Sequence, residues 1–318
     1  MTPKTTPLPR NPTNRRAFLK ELLAGAVTAS LLPLGLPAAA HASSTALNVV
    51  PLDDHLRLIT GAGGNVLVAE TAEGLLLVDG GNAASSSELL KLLGKVRPVR
   101  VLINTHWHPD QTGSNEALAK GGTKIIAHAN TKLWLSTEID VQWQKKVYPP
   151  RPAIALPTEI LYTQAKLDFG GTKLEYGHLP QAHTDGDLYV FLPERNVLFT
   201  GDVMHAHAYP IVDWSTGGWI GGMTNAARKL LDVADASTRI VPGLGPVQTK
   251  ADLQAQFDML DVVRGRLIAL LKQGMSAADM IAAKPTAEFD AKWGDPTLLI
   301  RNAYPGLWAH VREHGGIL

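Results

Sequence analysis

The chain has no cysteine among its 318 residues. Disulfide bridges and thiolate ligands are thereby excluded, and any metal must be held by nitrogen and oxygen donors. There is little surplus of either charge, with 30 basic and 29 acidic side chains. No basic stripe marks a nucleic-acid partner or an anionic membrane surface. Hydrophobic residues make up 45% and charged residues 19% of the chain, an ordinary globular balance with no mark of disorder. That length can bury one large core or two modest ones.

The amino-terminal 42 residues stand apart. They hold five basic side chains (Lys4, Arg10, Arg15, Arg16, Lys20) and one acid, Glu21, so the remainder carries 25 basic and 28 acidic residues. Asn14-Arg15-Arg16-Ala17-Phe18-Leu19-Lys20 resembles a twin-arginine export motif, with Asn14 where Ser or Thr is usual. A weakly apolar stretch follows, Leu22 to Leu36, broken by Gly25, Pro33 and Gly35. It is shorter than the roughly 20 residues that span a bilayer as a helix. Ala40-His41-Ala42 then offers a small-residue cleavage site. The expectation is a signal over residues 1–42, a periplasmic or secreted protein, and no stable membrane insertion after cleavage; an uncleaved anchor is the alternative.

The chemistry concentrates in Asn104-Thr105-His106-Trp107-His108-Pro109-Asp110-Gln111. These residues follow Val99-Arg100-Val101-Leu102-Ile103, a β-branched apolar run that reads as a buried strand. Thr112 to Glu116, with small and capping residues, then reads as a helix start. Alternate residues of an extended stretch point the same way, so His106, His108 and Asp110 can converge on one point. Imidazole and carboxylate together are the donor set of zinc or a similar divalent ion. A single histidine in a loop is as well explained by ordinary hydrogen bonding.

Around this motif the chain alternates strands and helices. Leu47–Ile59 and Gly64–Glu70 read as opening strands, and Gly74–Asp79 as a strand buried on both faces, followed by a helix over Ser85–Val96. Lys124–His128 is a further strand, with a helical stretch predicted over Thr131–Val147 and an irregular proline-rich connection over Pro149–Pro157. Trp134, Trp143 and Tyr148 read as core, with the rim of a site as the alternative. A hairpin turns at Gly170-Gly171; Leu188–Leu192, Asn196–Thr200 and Arg239–Val241 are later strands, and Lys250 to Leu271 is helical.

Taken in order, the His-x-His-x-Asp loop, the lone His183 in Gln181-Ala182-His183-Thr184-Asp185-Gly186-Asp187, the strand-end Gly201-Asp202 and the loop Pro242-Gly243-Leu244-Gly245-Pro246 resemble the successive motifs of the metallo-β-lactamase superfamily. The resemblance spans roughly residues 47 to 250. It implies an α/β fold, an αββα sandwich of two mixed sheets flanked by helices, over residues 43–250, with a helical extension over 251–318 packed on it. It also implies that His106, His108 and His183 hold a first metal, that Asp202 approaches or bridges it, and that Asp110 serves a second site. Two departures are plain: Gln111 and Leu244 stand where that second site has histidines. Gln111, His205 and His207 are candidate weak second-site ligands or substrate contacts. Asp79, at the end of an apolar strand, reads either as a residue orienting the histidine loop or as a turn aspartate. Asp213, Trp214 and Trp219 are candidates for shaping the substrate pocket.

The function so implied is hydrolysis of a small molecule by metal-bound hydroxide attacking an amide, lactone or ester carbonyl, with one or two Zn2+ and Asp110 as general base or water-orienting group. Two alternatives stand beside it: an exported binding protein that keeps the fold without the chemistry, and a mono-iron oxygenase. No nucleic-acid partner is expected, and oligomeric state is not written in the sequence.

Overall fold

The structure, a computed structural model, describes residues 46–314; the predicted signal over 1–42 lies outside them. The first sheet has seven strands in the spatial order β1 (Asn48–Pro51), β2 (Leu56–Ala62), β3 (Gly64–Thr71), β4 (Gly74–Val78), β5 (Val99–Ile103), β6 (Lys124–His128) and β9 (Glu159–Leu161). Its first four strands run antiparallel, and β4, β5, β6 and β9 run parallel. A small separate hairpin joins β7 (Ile139–Val141) to β8 (Lys146–Tyr148). The second sheet follows chain order: β10 (Gln164–Phe169), β11 (Thr172–Leu179), β12 (Asp187–Leu192), β13 (Val197–His205) and β14 (Arg239–Leu244). Only its last pair, β13 with β14, is parallel.

The strand sequences explain why these sheets stack. Every residue of β4 is buried. Leu76 and Val78 join the inter-sheet core with Leu174, Leu188, Val190 and Phe199. Leu75 and Leu77 face outward, beneath Leu89 and Leu93 of helix α1 (Ser86–Gly94). β5 divides the same way, with Val101 and Ile103 inward and Val99 and Leu102 outward. A strand covered on both faces has no polar side to show, hence the unbroken apolar runs. On the far side, Leu198 of β13 and Ile240 of β14 pack against the helix Ile220–Val233, while Phe199 and Val241 point to the inter-sheet core. Helices on both outer faces complete the αββα sandwich. Burying each such Leu or Phe contributes about 1.5–3 kcal/mol.

Three boundaries differ from the sequence reading. The single opening strand is two, because Asp53 accepts the His55 N–H at 2.8 Å and the chain reverses between β1 and β2. The helix predicted over Thr131–Val147 covers only Ala129–Ser136. Ser136 and Thr137 hydroxyls bond back to the Leu133 carbonyl (2.8 and 3.1 Å), and buried Ile139 and Val141 then alternate with exposed Asp140 as a strand. Trp134, Trp143 and Tyr148 are half-buried against that hairpin. Finally, β13 continues past Thr200 to His205, irregular in register around Gly201, which adopts φ 55°.

Beyond the sheets, Lys250–Lys272 forms a long helix opened by a Thr249–Asp252 capping box. Its Leu253, Met259, Leu260 and Val263 share one buried cluster with Ile220, Met223, Leu299 and Leu307.

One contact ties the two sheets by chemistry that titrates. His128 of β6 stacks on His178 of β11, with ring centroids 3.7 Å apart and planes 15° from parallel. Burial pushes His128 down to about 4 and lowers His178 too. An unfolded imidazole takes a proton near 6.5, so between that pH and about 4 the unfolded chain binds a proton that folded His128 refuses, and the lowered His178 acts in the same direction. Stability is therefore expected to fall as pH drops through this window. Urea unfolding at pH 6.5 and 4.5 should show the lower midpoint at 4.5, with a smaller difference in His178→Phe; an unchanged difference would place the effect elsewhere.

Candidate metal centre

The parallel strands β4 and β5 end side by side, and their loops open at the same edge as the bulge of β13. Asp79 terminates β4 in a left-handed conformation, φ 61°, which Asp tolerates better than most residues. It is fully buried and accepts two hydrogen bonds from Thr105, from the backbone N–H at 2.8 Å and the hydroxyl at 2.7 Å. That hydroxyl lies 3.1 Å from His106 Nδ1. With its proton given to Asp79, the hydroxyl oxygen accepts from His106 Nδ1–H, leaving the Nε2 lone pair free.

The other two rings are set in the same manner. His108 caps the short helix Pro109–Thr112, and its Nε2 lies 2.9 Å from Asp213 Oδ2, so Nδ1 faces the site. His183 Nδ1 lies 2.8 Å from the Ile211 carbonyl, so Nε2 faces the site. Three lone pairs therefore converge. His108 Nδ1 and His183 Nε2 are 3.0 Å apart, and the rings meet edge to face at centroid distances of 4.7–4.8 Å. Asp202 Oδ2 is 3.8 Å from His106 Nε2 and 3.7 Å from His183 Nε2. All four ligand atoms lie within 4.8 Å of one another. A tetrahedron built on bonds of 2.0–2.1 Å places its ligands about 3.3 Å apart.

Electrostatics disfavour protons on two of the three rings. Burial drives His106 well below its ordinary pKa and His183 down to about 4, and the neighbouring imidazoles add to both. Burial opposes a charge on His108 as well, but the hydrogen bond and charge of Asp213 outweigh it and raise its pKa. Asp213 is held at about 2 against its own burial, chiefly by His108 and Thr216. His106 Nε2 is buried with no hydrogen-bond partner. An unpaired lone pair at the focus of three imidazoles and a carboxylate is what a divalent metal would satisfy, so these residues fit one.

The second site fits less well. Asp110 does not join the converging group: His108 starts a helical turn, and Asp110 sits half-buried inside it instead of continuing an extended strand. Burial and the charge of Asp202 raise its pKa. Buried Gln111 points its amide at Asp202, Nε2 donating to Oδ1 at 3.3 Å. Leu244 is 54% exposed. His205 is half-buried with an unpartnered Nε2, outside the converging group, and His207 is exposed. Gly243 is obligatory, because a Cβ there would lie 1.9 Å from Asp202 Oδ1. Trp219, a candidate pocket residue, is instead buried in the core and stacked on His310 at 3.9 Å.

Sequence reasoning missed Thr105 as the link from Asp79 to His106, and Asp213 as the carboxylate behind His108. The signal available was the general need of each ligating imidazole for an acceptor on its other nitrogen.

The chain matches the family model described as "Metallo-beta-lactamase superfamily" over residues 59–246. Two curated relatives named "Metallo-beta-lactamase type 2" align over 203 residues, 62% of this chain and 72% of each relative: 29% identical for Bacillus sp. (strain 170) and 27% for Bacillus cereus. Among solved structures, a metallo-beta-lactamase from Pontibacter korlensis superposes with a TM-score of 0.56 at 22% identity, covering 68% of this chain and 99% of that one. A stereoselective inverting sec-alkylsulfatase from Pseudomonas sp. superposes with a TM-score of 0.63 at 17% identity, covering 82% of this chain and 50% of that one. The chain belongs to the metallo-beta-lactamase superfamily. With this membership, the converging group of three histidines and one aspartate fits a metal centre of that superfamily.

Replacing Asp213 with Asn removes the charge behind His108 while nearly preserving shape. Metal affinity is expected to fall about 10–100-fold with the fold intact, as read by chelator competition and circular dichroism.

Proposed function

We propose that this chain is an exported hydrolase working with a single divalent metal, zinc by its donor set, on a small molecule bearing an amide, lactone or ester carbonyl. The observation that carries this reading is the unpartnered Nε2 of His106 at the focus of His108, His183 and Asp202. A metal held there would supply Lewis-acid activation of water and of the carbonyl oxygen.

The remaining chemistry belongs to the chain. Thr105, Asp213 and the Ile211 carbonyl fix the imidazole tautomers, so no ring turns its N–H into the site. Asp110 is the base: its carboxylate lies close enough to feel Asp202 and His108, and its raised pKa suits it to take a proton from water and pass it to a leaving group. Gln111 supports a single-metal centre, since its amide N–H meets the carboxylate oxygen that a second cation would need. The curated relatives' names make β-lactams the first amides to try. The twin-arginine motif supports export, because that route carries folded protein with its metal already bound.

Elemental analysis should find one metal per chain, lost in His106→Ala. Asp110→Asn should keep the metal and lower kcat about 10²–10⁴-fold on whichever member of a β-lactam, lactone and ester panel is turned over. A metal-free protein after incubation with excess zinc, or undiminished turnover in His108→Ala, would overturn the proposal; two metals would refute its single-metal part.

A further inference from the structure

A cavity of about 320 Å³ is lined in part by Trp143, whose ring neighbours that of His108. It is built from three stretches that meet only in the folded chain: the turn after β7, the turn at Trp214–Thr216, and the C-terminal helix Thr297–Ala309. The matched family region ends at residue 246, so the helical wall is supplied by the extension outside it.

The lining is selective. Trp143 and Trp214 present indole surface, and Lys145 and Arg301 bring two positive charges. No acidic side chain lines the cavity among the described residues. Asp295, the carboxylate that feels Arg301, lies outside the lining, and its Oδ1 accepts the Thr297 N–H at 2.9 Å and the Thr297 hydroxyl at 2.6 Å. Asp213, behind Trp143, is taken up by His108, Thr216, Ser215 and the Trp143 indole N–H. Asn302, also in the lining, is only 7% exposed, and its Nδ2 has no hydrogen-bond partner. A guanidinium fork and an ammonium facing no lining carboxylate, with indole walls, are the complement of an oxyanion carried on an apolar body.

We infer that this cavity binds the carboxylate of a small apolar acid, with Arg301 and Lys145 receiving the oxyanion and Trp143 and Trp214 packing its body. The indole N–H of Trp143 donates to Asp213 at 3.0 Å, and its ring centroid lies 6.5 Å from that of His108. An acid seated here therefore lies one ring away from a metal ligand. As a specificity pocket for substrate the cavity rests on the hydrolase reading; as a binding site it does not.

Phenylacetate is the probe, titrated into the full chain by calorimetry and tryptophan fluorescence, with phenylacetamide as its uncharged counterpart. The expected result is saturable binding of phenylacetate and weak or no binding of the amide. Arg301→Gln should lose at least about tenfold in affinity, and Lys145→Gln a smaller factor; both residues are exposed, so the fold is not at stake. Binding should persist in His106→Ala, which separates this cavity from carboxylate coordination at a metal. Equal binding of acid and amide, indifference to Arg301→Gln, no saturable phenylacetate binding, or loss of binding in His106→Ala would each overturn the inference. Failure of the hydrolase reading, seen as absent metal or absent turnover, would leave these titrations unaffected.

Discussion

Three imidazoles buried together, each with one nitrogen tied to an acceptor and the other turned inward, form the constraint on which this architecture rests. Burial alone would leave the rings free to choose tautomers and to hydrogen-bond one another. Thr105, Asp213 and the Ile211 carbonyl remove that freedom. Each acceptor side chain is itself held: Thr105 by Asp79, and Asp213 by Thr216, Ser215 and Trp143. The αββα sandwich brings these groups to one edge because parallel strands end together. Loops 75 residues apart in the chain, those bearing His108 and His183, thereby come to a nitrogen–nitrogen distance of 3.0 Å.

How far the sequence discloses this depends on whether a feature is local. β4 and β5 are legible because burial on both faces leaves an apolar run that only a covered strand tolerates. The helix from Lys250 to about Leu271 is legible as a helical stretch, and the structure adds the Thr249–Asp252 capping box that opens it. The stretch Thr131–Val147 reads falsely as one helix because Trp134, Trp143 and Tyr148 suit either state in isolation. What ends the helix is Ser136 and Thr137 bonding backward and Ile139 and Val141 finding a cluster with Trp107 and Leu135. The site shows the same division. His106 and His108 announce themselves by spacing, whereas the use of His183 and Asp202 becomes readable only through the order of family motifs. Asp213 has no sequence signature, and Asp110 reads as converging only if the loop stays extended through a residue that in fact begins a helical turn.

The extension beyond the family region is part of the same packed fold. Its helices contribute Leu299, Ile300 and Leu307 to the core shared with the helix Ile220–Val233, so they are integral to folding. The same packing sets Arg301 and Asn302 beside Trp143 and Trp214. One stretch of chain thus contributes both cohesion and a chemically distinct wall.

The Gln111 amide, donating to Asp202, has a consequence for how this site can change over generations. Glutamine and histidine codons differ by a single base at the third position, so a histidine at 111 is always one step away. That step would remove the N–H held against Asp202 and set an imidazole beside a carboxylate and the half-buried Asp110. The exposed Leu244 offers no matching donor from the opposite loop. A histidine at 111 would thus forfeit an existing hydrogen bond while the loop opposite still lacked a second donor.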